Sequence, residues 1–213
     1  MSDNTNLVRI GGWSGIAMIL IFAVAILLLS GTDAGGWLAI LGTLLIVPFF
    51  IGVCFILRDL GNEVLIPTAF ELLGVVFLVL AYLVHAEFLY WYEERIAGAS
   101  GVELQILELG WAARTDIVDE LLFNVGSWLT MSLSLFLFAL FGWRSKNVPR
   151  WIHIVGLITI LTGFGWLTPW PIPVDLGNFR QLPSFLTLVI WSVGIGIVMV
   201  RYREGDKAGD SSQ

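Results

Sequence analysis

The sequence predicts an all-α membrane bundle of six spanning helices, and three observations carry that prediction: composition, apolar segment length and the placement of basic residues. Of 213 residues, 57% are hydrophobic and 13% charged, too apolar for a domain whose whole surface meets water. Six stretches, near 11–30, 36–57, 64–86, 119–142, 151–168 and 183–200, fit the roughly 20 residues needed to cross about 30 Å of hydrocarbon. Lipid offers the backbone no hydrogen-bond partner, so each stretch must be helical. Residues 1–204 read as one transmembrane domain, and 205–213 as a short, disordered polar tail.

Basic residues set the expected orientation in the cell membrane. With both termini cytosolic, Arg9, Arg58, Arg144, Lys146, Arg150, Arg201, Arg203 and Lys207 lie inside, and only Arg95, Arg114 and Arg180 outside. The net charge of −6 resides partly in the outer loop and the tail, so no basic patch supports a nucleic-acid partner.

The first stretch is about as long as a full span and is not closed by an A-x-A cleavage pattern, which favours a retained helix over a signal peptide. It contains Gly11-x-x-x-Gly15, the small-residue pattern of close helix contacts. The second holds Cys54, the single cysteine, which excludes an intramolecular disulfide or a Cys-based zinc cluster and reads as a small packing residue. Loops one, two and four are short, so helices 1 and 2, 2 and 3, and 4 and 5 are expected to be antiparallel neighbours.

The third stretch carries Glu71, about 10 Å from its cytosolic end at 1.5 Å per residue. A charge at the centre of a span costs about 2.5–3.5 kcal/mol on insertion scales, so this carboxyl should face the bundle, neutral or paired. Two readings stand: a proton, ion or substrate contact, or a neutral acid hydrogen-bonded within the helices. At 100° per residue Glu71, Gly74, Leu78, Tyr82 and His85 form one stripe, and the fourth stretch offers Asn124, Ser127, Met131 and Ser134 at matching spacing. Antiparallel packing sets Asn124 near the depth of Tyr82 and His85, and Ser134 near Glu71. The result is a candidate ligand-binding seam of Glu71, Tyr82, His85, Asn124, Ser127 and Ser134. Ordinary interhelical hydrogen bonding is its structural alternative.

Between these stretches, Glu87 to Val118 is too long for a bare turn. Ala97 to Gly101 reads as a turn, and Val102 to Trp111 as an outer amphipathic helix with Leu104, Leu107 and Trp111 on one face. It would lie on the membrane surface or cap the bundle. Glu87, Glu93 and Glu94, with Asp116, Asp119 and Glu120, could converge on a hard cation; a solvated acidic rim is the plainer reading.

The fifth connection, Thr168 to Asp175, holds three prolines and should be extended, with Trp170 at headgroup level. Trp13, Trp37, Trp91, Trp143 and Trp151 suit an interfacial belt. His85 and His153, the only histidines, fall at opposite ends of the bundle, so one haem cannot take both; each reads as an interfacial residue. No HExxH, GxSxG, Ser-x-x-Lys or P-loop pattern occurs, Ser127 beside His85 being the one weak Ser/His pairing. No cofactor is called for.

Gly126-Ser127-Trp128-Leu129 through Phe141-Gly142-Trp143, followed by Val148-Pro149-Arg150 and by Gly156 and Gly163, resembles a broad family of uncharacterised six-helix prokaryotic membrane proteins. The likeness covers helices 4 and 5, with Trp151 to Val155 intervening before Gly156. It implies the six-helix architecture and transfers no catalytic residue. The functional expectation is a non-enzymatic membrane protein that binds or moves a small ligand, or an accessory subunit of a membrane assembly. Its partners would be the bilayer and a membrane protein or a second copy. An intramembrane enzyme using Glu71, Tyr82, His85 and Asn124 is the alternative.

Overall fold

A computed structural model describes residues 3–27, 33–163 and 182–202, and its regular elements are all helical. They are α1 (Asp3–Leu27), α2 (Asp33–Ile56), a short 3-10 segment (Arg58–Val64) and α3 (Leu65–Ile96). Next come α4 (Val102–Thr115), α5 (116–142), α6 (Arg150–Thr162) and α7 (Leu182–Val200). Five helical stretches are long and apolar enough to cross a membrane: Asn4–Ala25, Ala34–Ile56, Arg58–Ile96, Leu121–Gly142 and Leu182–Val200. Arg150–Thr162 is apolar but shorter; its expected continuation to 168, the proline-rich connection and the tail from 205 lie outside the described residues.

Helices α1 and α2, α2 and α3, and α5 and α6 are packed neighbours, and α7 returns to close on α1. Small residues permit the closest of these approaches. A methyl group at Gly11 would lie 2.8 Å from the Gly52 Cα and 2.9 Å from the Pro48 carbonyl oxygen, so α1 rests on the backbone of α2. Phe49 and Phe50 of α2 meet Trp191 of α7 at ring separations of 6.0 and 5.9 Å, and Phe50 stacks on Phe138 of α5 at 5.1 Å. This aromatic cluster is the centre of the core, and packing of such fitted rings is what holds helices together where lipid removes the hydrophobic drive.

The turn between α2 and α3 passes through Gly61 at φ 69°, a left-handed conformation that suits a residue without Cβ. It is tied to the segment after α5: Arg144 pairs with Glu63, the Ser145 hydroxyl donates to Asp59 at 3.1 Å, and the Asn147 amide donates to the Ile56 carbonyl at 2.7 Å. These contacts fix one end of the α2–α3–α5–α6 packing.

Two features depart from the expected segments. α3 does not stop near 86 but runs 32 residues to Ile96, because Glu93, Glu94 and Arg95 continue a helix as readily as the apolar run before them. Its partner is equally long. The turn at Ala97–Gly101 and a helix from Val102 stand where the sequence placed them, but α4 runs into α5 without a break, so this segment is the far end of a helical hairpin. α5 is also wound unevenly, with wide π turns over Asp116–Phe123 and Leu129–Ser134 and α turns between and after them.

Candidate functional site

The contact between α3 and α5 begins with two glycines. A methyl at Gly74 would lie 2.6 Å from the Thr130 methyl and 2.9 Å from the Gly126 carbonyl oxygen; one at Gly126 would lie 3.1 Å from the Gly74 oxygen. The two backbones therefore touch. Around this crossing the antiparallel register is set on both sides, by the Ser134 hydroxyl donating to the Pro67 carbonyl at 3.2 Å and by Tyr82 meeting Phe123 edge-on at 5.8 Å.

Glu71 sits one turn from that crossing. It is 1% exposed, its Oε2 has no hydrogen-bond partner among the described residues, and the Ser134 hydroxyl stands beside its carboxyl. The same hydroxyl donates to the Pro67 carbonyl near the start of α3, so Glu71, Ser134 and Pro67 meet at one level of the contact.

The seam expected from sequence forms in part. Ser134 joins Glu71, and Tyr82 and Phe123 place the neighbouring Asn124, also buried, near the same level. Ser127 is fully buried and its Oγ is unpartnered, so it makes no pair with His85. His85 leaves the stripe altogether. Its Nδ1 lies 2.6 Å from the Arg114 guanidinium of α4, and Arg114 also covers the faces of Trp111 at 4.7 Å and Phe88 at 6.0 Å.

Sequence reasoning missed three participants. Thr130 lies on Gly74, yet the 100° spacing through Asn124, Ser127, Met131 and Ser134 passes over it; the π turn at Leu129–Ser134 brings it round. The Pro67 carbonyl carries no side-chain signal. Arg114 read as a plain outer charge, although Phe88, Tyr92 and Trp111 at helical spacing were the clue to a buried guanidinium.

The opposite face of α5 bears hydroxyls of another kind. Ser132 Oγ lies 3.3 Å from Ser184 Oγ of α7, Thr159 of α6 donates to the Ser132 carbonyl at 3.0 Å, and Thr162 and Thr187 hydroxyls pair at 3.1 Å. Every one of these groups is used.

His153 lies in the first turn of α6 and faces the bundle, buried beside Gly142 and Trp143. Cys54 packs as expected and adds a 2.9 Å contact to the Thr68 hydroxyl. Among the described residues no three His, Cys, Asp or Glu side chains gather as metal ligands. Glu87, Glu93 and Glu94 are exposed, and the side chains of Asp116, Asp119 and Glu120 lie outside the described set.

The class these features define is an apolar all-helical bundle with five stretches fit to span a membrane and one ionisable carboxyl sealed inside it. No family model, no curated protein and no solved structure matches the chain, so the resemblance over 126–163 assigns nothing further.

Proposed function

We propose that this chain is a six-span protein of the cell membrane, with both termini cytosolic, that binds or moves a small ligand at the α3–α5 seam. In this reading the apolar α6 belongs to the sixth span, and α4 lies on the outer side. One observation carries the ligand reading: Glu71 is fully buried, with one carboxyl oxygen unpartnered among the described residues, one turn from a glycine-to-glycine backbone contact. A buried polar group with no partner costs about 1–3 kcal/mol, so its presence asks for a use beyond packing. Ser134 and the Pro67 carbonyl complete the polar surface that such a ligand would meet. Because Glu71 is sealed, ligand entry requires the α3–α5 contact to part.

That same sealing favours a second reading, an accessory subunit in which the seam only joins two helices. Native mass spectrometry of protein purified in mild detergent separates the two. The ligand reading expects a small-molecule adduct on the wild type that is absent from Glu71→Gln. A partner subunit bound equally to both, with no such adduct, overturns it.

A further inference from the structure

Helix α4 presents apolar residues on two opposite faces, and among the described residues only one is covered. Leu107, Trp111 and Arg114 face α3, with Trp111 4.6 Å from Tyr92 and 5.9 Å from Phe88. Val102, Ile106 and Leu109 lie within about 60° of one another on the other side, exposed by 71%, 64% and 71%. Between the two faces run Glu103, Gln105 and Glu108, all exposed.

Lipid does not account for the bare stripe. His85 is the twenty-first residue of α3, so the level at which Arg114 meets it is about 30 Å from Leu65, the full thickness of the hydrocarbon. α4 packs from that level outward. Bringing all of α3 into the hydrocarbon would need a tilt of about 50°, beyond the usual range of spanning helices, and would immerse the exposed Glu87, Glu93 and Glu94. This holds whichever side of the membrane the hairpin faces.

Charge selects the occupant. Residues 86–121 hold eight carboxylates against Arg95 and Arg114, and Arg114 is buried. A second copy would bring the same carboxylates against these, and an anionic lipid surface would likewise be repelled. We infer that the Val102–Ile106–Leu109 face of α4 docks an amphipathic helix of another protein, one whose apolar stripe is flanked by Lys or Arg. The anchors at i, i+4 and i+7 are those of a helix–helix seam, and the flanking glutamates give it a preference for basic partners. The inference does not depend on whether Glu71 binds a ligand.

The test uses the full chain in phosphatidylcholine nanodiscs and labelled four-heptad peptides with Leu at the seam positions, flanked by Lys or by Glu. Fluorescence anisotropy should show the Lys peptide binding and the Glu peptide not. Ile106→Ser with Leu109→Ser should weaken binding about tenfold or more, and Glu103→Lys with Glu108→Lys should shift the preference to the Glu peptide. These substitutions are at exposed positions, and the reversed preference is a gain that a misfolded protein cannot give. No binding of the Lys peptide, or equal binding by the serine variant, overturns the inference. So does a peptide-free dimer that the serine variant abolishes, which would make a second copy the occupant.

Discussion

α5 turns one polar face toward α6 and α7 and another toward α3, and the two are built differently. On the first, Ser132, Ser184, Thr159, Thr162 and Thr187 satisfy one another or nearby carbonyls. On the second, glycines bring the backbones into contact around the buried carboxyl of Glu71, whose Oε2, like Ser127 Oγ and the Trp128 and Trp191 indole N–H groups on the first side, has no partner among the described residues. Hydroxyl pairing of the first kind is explained by helix association alone, at roughly 0.6–2 kcal/mol per contact in membranes. The second has close glycine packing to hold it and, within it, a fully buried carboxyl, the costliest kind of side chain to bury in a span. The difference is between neutral hydroxyls, which helix association explains, and an ionisable group, which it does not.

The largest way to break this comparison is Gly74→Leu. Its first carbon already collides with Thr130 and the Gly126 carbonyl, and over-packing of this sort costs about 1–3 kcal/mol or more. The folded yield on size exclusion should collapse, and survival of a normal, heat-stable protein would show that the glycine contact does not hold α3 to α5. Next in size is Thr159→Ala on the paired face, which takes a hydroxyl from both the Ser132 and Gly156 carbonyls. It should destabilise by about 1 kcal/mol, read as a lower unfolding temperature in detergent, without altering any bound small molecule. Ser134→Ala sharpens the contrast with a smaller change. It should lower stability by about 0.5–1 kcal/mol but weaken ligand retention in native mass spectra, because the hydroxyl beside the Glu71 carboxyl is removed.

Much of this architecture was legible in the chain. Spans of about 20 apolar residues and the short connections led directly to the neighbouring pairs α1–α2, α2–α3 and α5–α6. Glu71 stood out because a carboxylate inside an apolar run is costly, and the antiparallel depth argument brought Ser134 to it. What escaped has identifiable causes. The turn and helix of the hairpin were read, but not its unbroken continuation of α3 and α5, because hydropathy falls where Glu87, Glu93 and Glu94 begin although their helix propensity does not. Thr130 was hidden by π winding, which a fixed 100° step cannot follow. His85 was drawn away by Arg114, twenty-nine residues on, and no periodicity within one helix reveals a partner on another. The burial of His153 escaped because a residue near a helix end can face the bundle, here covered by Gly142 and Trp143, and its position in the chain does not show which way it faces.

The unfolding temperature of Glu71→Gln, measured beside wild type and Thr159→Ala in one detergent, tests the central claim most directly. Glutamine keeps the shape of the side chain and its amide can meet the Ser134 hydroxyl as donor or acceptor, so a carboxyl kept for ligand rather than for packing should be replaceable within about 0.5 kcal/mol. The account predicts an unfolding temperature equal to or above that of wild type. A fall as large as that of Thr159→Ala would contradict it and return Glu71 to the structural groups of the bundle.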